Sequence, residues 1–99
     1  MNAKGMYETI CYEQMRADDT NEPVHFVMES DIGVMAQGFI YPDGGISMNL
    51  MTGGVYIRLF FNELRVEGEY IYLYFYETEG ITHYVGMIAC AEITAFEVD

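Results

Sequence analysis

The chain has 99 residues, 52% of them hydrophobic, with sixteen acids against four bases and a formal net charge of -12. That length predicts one domain over residues 1–99, with a folded surface of roughly 5,700 Å² against roughly 16,000 Å² for the extended chain, enough burial for a core without disulfides or metal. The apolar content argues against disorder and the lack of a long apolar run against a membrane span, while so few bases (Lys4, Arg16, Arg58 and Arg65) disfavour direct contact with nucleic acid, anionic membranes or nucleotides.

Met1-Asn2-Ala3-Lys4-Gly5 leads into no apolar h-region, so no secretory signal is expected, and the expected compartment is the cytoplasm. The stretch from Met6 to Met15 reads as a strand and Ala17 to Pro23 (ADDTNEP) as an irregular loop. Val24, Phe26 and Met28 then alternate with His25, Val27 and Glu29, the period of two that marks a half-buried strand. The next strand, Ile32 to Tyr41, is apolar on both parities. Pro42-Asp43-Gly44-Gly45 follows as a hairpin turn, with proline presetting φ and the glycines accepting positive φ. Ile46–Met51 and Val55–Phe61 flank a second turn at Thr52-Gly53-Gly54, and a bulge at Asn62-Glu63 leads to a short strand over Leu64–Val66. Glu67-Gly68 turns the chain into Tyr70–Tyr76, and Thr78-Glu79-Gly80 turns it again into Gly80–Met87. A helical turn at Met87–Ala91 and a last strand from Glu92 to Val98 complete the chain. Turns recurring about every ten residues predict an all-β fold, mainly an antiparallel meander closed as a small barrel or sandwich, with at most one short helical turn.

The run Tyr70-Ile71-Tyr72-Leu73-Tyr74-Phe75-Tyr76 places Ile71, Leu73 and Phe75 on one face and Tyr70, Tyr72, Tyr74 and Tyr76 on the other. Four tyrosines are too apolar for an ordinary solvated face. Either they are buried within the fold or an oligomer, or they form a contact surface, since tyrosine offers large area at low entropic cost. Carboxylates gather at the neighbouring turns: Glu63, Glu67 and Glu69 on one side, Glu77 and Glu79 on the other. Eight methionines, nine tyrosines and six phenylalanines exceed the needs of a small interior, so an apolar patch and a homodimer or higher homo-oligomer are expected.

Catalytic and metal chemistry finds no foothold. His25, His83, Cys11 and Cys90 are scattered at no zinc spacing, and Asp18-Asp19-Thr20-Asn21-Glu22 lacks the glycine and distal glutamate of an EF-hand loop. Ser30 and Ser47 have no nucleophile-elbow setting, and Cys11 has no neighbouring base. The expectation is therefore a non-enzymatic protein with no catalytic residue, no metal and no cofactor, its two cysteines reduced.

The remaining class is recognition. Glu63, Glu67, Glu69, Glu77 and Glu79 would steer a basic, nucleic-acid-handling protein toward the chain, with Tyr70, Tyr72, Tyr74 and Tyr76 as anchors, while Arg58 and Arg65 pair with nearby glutamates. In size and charge the chain resembles the small acidic inhibitors that phages and mobile elements use against nucleic-acid-handling defence systems, anti-CRISPR proteins among them; that resemblance implies an inhibitor or adaptor occupying a basic surface. Uniform acidity is a weak imitation of nucleic acid, at about one net charge per 480 Å² against about one per 100 Å² for a B-DNA cylinder. Mimicry therefore needs the acids on one side. Two rivals stand beside it: a homo-oligomeric β-barrel holding a small molecule in a Tyr/Met-lined pocket, and a structural subunit whose task is assembly.

Overall fold

A computed structural model describes the whole chain, Met1–Asp99. It begins with an α-helix, α1 (Ala3–Thr20), followed by eight strands: β1 (Val24–Ser30), β2 (Gly33–Ile40), β3 (Ile46–Thr52), β4 (Val55–Phe61), β5 (Glu63–Glu67), β6 (Tyr70–Tyr76), β7 (Thr82–Ala89) and β8 (Ala95–Val98). Antiparallel pairing runs consecutively from β1 to β4 and from β5 to β7, and β8 returns to pair with β1. The result is a five-stranded sheet ordered β4-β3-β2-β1-β8 and a three-stranded sheet ordered β5-β6-β7. The antiparallel β class expected from the sequence holds, with the single helix as its one sizeable non-β element.

The N-terminal segment corrects the sequence reading. Met6–Met15 is not a strand but the middle of α1, and the helix also takes Ala17–Thr20 from the expected loop. Its buried residues Ala3, Met6, Ile10, Glu13 and Ala17 fall at helical spacing along one face. The Asn2 side chain accepts from the Gly5 N–H at 2.7 Å, satisfying one of the orphan donors at the helix start. Asn21 ends the helix in the left-handed region at φ 54°, its N–H donating to the Ala17 carbonyl, and Pro23 follows. Glu13 is 5% exposed, and its carboxylate accepts from Arg16 Nε at 2.7 Å. The helical turn expected at Met87–Ala91 lies instead at Cys90–Glu92 as a 3-10 turn, and Met87–Ala89 remains in β7.

Helix and sheets share one core. Phe26, Met28, Ile40, Met48 and Phe61 come from the larger sheet, Ile71, Leu73 and Ile88 from the smaller, and Met6 and Ile10 from α1. The surface is 6024 Å², close to the roughly 5,700 Å² that scaling gives for this mass. The N-terminal ammonium donates to the Ile93 carbonyl at 2.8 Å, so the start of the chain is tied to the segment before β8.

The two sheets meet at Asn62, the one residue between β4 and β5. Its backbone N–H donates to the Tyr74 carbonyl at 3.1 Å. Its side chain continues the ladder, accepting from the Tyr76 N–H at 2.8 Å and donating to the Tyr76 carbonyl at 3.1 Å. A carboxamide thus stands in for a peptide group where the strand bends, which is the physical content of the bulge expected at Asn62-Glu63. Asn62→Ala removes both bonds at an exposed bend and is expected to cost about 1 kcal/mol, or a fall in Tm of roughly 4–8 °C followed by circular dichroism. An unchanged Tm would show that the bend is held by the backbone alone.

Candidate functional site

The outer face of the three-stranded sheet carries the residues singled out from the sequence. In the β5–β6 register Glu63 stands opposite Tyr74, Arg65 opposite Tyr72 and Glu67 opposite Tyr70. Directly opposed residues in an antiparallel pair project to the same side, so these six share one face. Across the β6–β7 register the same face continues with Met87 opposite Tyr72 and Tyr84 opposite Tyr74. Ile71 and Leu73 point the other way, into the core, and are fully buried.

Nothing in the chain covers this face. Tyr70 is 42% exposed, Tyr76 48% and Tyr84 60%, whereas Tyr72 and Tyr74 are half-buried by their neighbours. The tyrosines are not buried inside the fold but lie on its surface, which leaves burial in an oligomer and a contact surface for another partner as the expectations for them. The rings form a ladder, with Tyr70 and Tyr72 centroids 6.4 Å apart, Tyr72 and Tyr84 6.4 Å apart, and Tyr74 edge-on to Tyr84 at 5.8 Å. Such spacings lie in the range where aromatic pairs attract beyond their burial.

Tyr84 was not among the residues expected at this surface. It arrives there through a bulge: Leu73 faces Gly86 but Tyr74 faces Tyr84, leaving Val85 as the extra residue of β7. A strictly regular pairing would bring Val85 opposite Tyr74 instead. The only local signal is Gly86 inside an otherwise regular strand pattern, since a glycine there often marks a bulge.

The carboxylates divide. Glu63 and Glu67 lie on the tyrosine face, Glu69 sits in the β5–β6 turn beside Tyr70, and Glu77 and Glu79 lie in the β6–β7 turn beyond Tyr76. Acids therefore stand at both ends of a tyrosine strand about 20 Å long. Glu63 accepts from Arg65 at 2.9 Å, and the Arg65 guanidinium lies over the Tyr74 ring, 4.3 Å from its centroid. Glu77 lies 3.2 Å from His83 Nε2. Glu67, Glu69 and Glu79 engage no basic side chain of the chain. Arg65 pairs as expected. Arg58 does not: it projects from β4 into a shallow hollow with Asn49, Gln37, Ser47, Phe39 and His25, and no glutamate meets it.

The other reactive groups are accounted for locally. Both cysteines are free thiols; Cys90 is buried, and burial pushes its thiol up from the ordinary value, against smaller opposing effects of the N-terminal ammonium and the Ile71 backbone. Tyr7 is also raised, by a hydrogen bond with Cys11 first, then by the charge of that cysteine and by burial. His25 Nδ1 lies 2.7 Å from the Asp99 carboxylate, beside the Phe39 ring. No three His, Cys, Asp or Glu side chains converge in the way a metal ion requires.

The void in the core measures about 10 Å³ and is lined only by apolar residues, among them Ile10, Phe26, Phe61 and Ile88. That is room for about one water and not for an organic ligand. A larger open cleft of about 390 Å³ runs between α1 and the β4–β5 bend, bordered by Tyr7, Cys11, Gln14, Asn62 and Glu63. No helix is long and apolar enough to cross a membrane. No protein-family model, no curated protein and no solved structure matches the chain.

Proposed function

We propose that this chain is a non-enzymatic, cytoplasmic binding protein that occupies a basic surface of a nucleic-acid-handling protein, as an inhibitor or adaptor, through the outer face of β5, β6 and β7. The observation that carries this reading is the exposed tyrosine ladder bordered by carboxylates at both ends of β6. Such a face combines the two ingredients of tight recognition. Rigid aromatic area supplies affinity once buried, and surrounding charge of one sign speeds encounter and selects the partner. Five of the sixteen acids, Glu63, Glu67, Glu69, Glu77 and Glu79, border this face, where they would steer a basic partner toward the tyrosines.

A second reading has its own observation. Val55 is 63% exposed, Tyr56 52% and Ile57 46%, so the free end of the β3–β4 hairpin is apolar on both faces. Self-association through that hairpin would account for the excess of apolar residues without using the tyrosine face. The small-molecule barrel finds less support, because the core void is small and the tyrosines do not line it.

Native mass spectrometry of the protein drawn gently from its own cells separates these readings. A complex with a basic protein is expected, with an affinity that falls steeply between low and physiological salt because exposed charges are screened beyond about 8–10 Å. A bare homo-oligomer indifferent to salt would replace it with the assembly reading.

A further inference from the structure

We infer that the tyrosine face is an arginine-reading surface, and that Glu67 with Tyr70 forms a station for a guanidinium supplied by the partner. The inference rests on the binding reading above and deepens it, naming arginine rather than positive charge in general as what the face recognises.

The chain contains its own template. Arg65 lies with its guanidinium 4.3 Å from the centre of the Tyr74 ring while donating to Glu63 at 2.9 Å, and Glu63 stands directly opposite Tyr74 in the sheet register. A ring face and a carboxylate on neighbouring strands thus hold one guanidinium between them. The same pairing recurs at the other end of the sheet, where Glu67 stands directly opposite Tyr70. There, no basic side chain of the chain completes it: of the four bases, Arg65 is committed to Glu63, Arg16 pairs with Glu13 on α1, Arg58 lies on the other sheet and Lys4 lies on α1. Both Glu67 and Tyr70 are exposed, and Glu69 adds a further carboxylate in the adjoining turn.

The chemistry of this pairing favours arginine over lysine. A planar guanidinium stacks on an aromatic face and still presents its N–H fork to a carboxylate; a lysine ammonium is a compact, strongly hydrated charge that does neither as well. Alternate tyrosines on β6 repeat at about 6.8 Å, the spacing of alternate side chains in an extended partner segment. Charge complementarity also disfavours a second copy on this face, since two chains of net charge -12 would bring their acidic ends together.

The test uses the intact protein and two synthetic peptides of equal charge, one alternating arginine with serine and one alternating lysine with serine, titrated calorimetrically at low salt. The arginine peptide is expected to bind about five- to ten-fold more tightly. Tyr70→Leu should bring the two affinities together, and Tyr70→Phe, which keeps the ring, should retain the difference. Glu67→Gln should weaken both peptides. Equal affinities for the two peptides in the unaltered protein would overturn the arginine inference while leaving a basic partner in place. Failure of both peptides to bind would overturn the inference together with the reading beneath it. An arginine preference untouched by Tyr70→Leu would show that the guanidinium is read elsewhere, and the station would fall.

Discussion

Gly38→Ala is expected to leave no cooperatively folded protein, or to destabilise it by more than about 4 kcal/mol, the range reserved for direct steric failure of the interior. Gly38 lies in β2, opposite Met48 of β3 and Phe26 of β1. A Cβ built on it would overlap the Ser47 carbonyl oxygen and lie 2.8 Å from the Met48 Cα. Both obstacles are backbone, so no rotamer change relieves them; β2 and β3 would have to separate at the centre of the five-stranded sheet. Gly86→Ala is the matched control. It too lies inside a strand, but its Cβ would meet only the Leu59 and Leu73 Cδ1 atoms at 3.4 and 3.9 Å. That substitution is expected to change stability by less than about 1 kcal/mol. Urea unfolding of the two variants checks the pair, and similar midpoints would show that the close approach at Gly38 does not govern the sheet.

The same contrast between local and long-range determinants explains what the sequence makes legible. Tyr70–Tyr76 is readable because strand parity is a local property: Ile71 and Leu73 go inward whatever the partner strand is. The hairpins are readable because their backbones need positive φ, as at Gly53 and Gly54, which take 56° and 80°. The N-terminal helix is harder. Its apolar stripe of Ala3, Met6, Ile10 and Ala17 is interrupted by buried Glu13, and Tyr7, Ile10 and Tyr12 lend the segment strand-like composition. What identifies it are its ends, Asn2 as N-cap and Asn21-Glu22-Pro23 as stop. The candidate surface divides in the same way. Tyr70, Tyr72, Tyr74 and Tyr76 share a face by parity, but Tyr84 joins them only through the extra residue Val85, and a bulge's location depends on the neighbouring strand. That Arg65 would reach Glu63 and Tyr74, while Arg58 would lie on the other sheet among amides and hydroxyls, follows from the bend at Asn62. Val55–Phe61 and Leu64–Val66 taken separately do not disclose which sheet each joins.

Reversing charge at Glu67 and Glu69 together is the second large expected effect. Glu67→Lys with Glu69→Lys moves the formal net charge from -12 to -8, each reversal adding two units. Both changes fall where β5 turns into β6, beside Tyr70. Association with a basic partner is expected to slow by about ten-fold or more at low salt, since steering by a focused field changes on-rates by factors of roughly 10 to 1,000. Stability should stay within about 0.5 kcal/mol, because both side chains are exposed and neither has an ion-pair partner to lose. Raising the ionic strength should shrink the difference between variant and unaltered protein, since only the charged component is screened. Tyr72→Ala supplies the complementary loss. Tyr72 is half-buried between Tyr70 and Tyr84 on the open face, so its removal should weaken binding at every salt concentration, chiefly through faster dissociation. Its stability cost should remain near 1 kcal/mol, well short of the roughly 3–5 kcal/mol typical of a large aromatic removed from a core. Surface plasmon resonance against the basic protein recovered with the chain resolves the two. If the charge-reversed protein associates as fast as the original at low salt, the carboxylates do not steer. If Tyr72→Ala unfolds the protein, the tyrosine ladder is a structural layer and the contact surface must lie elsewhere, with the apolar hairpin end at Val55–Ile57 the next face to examine.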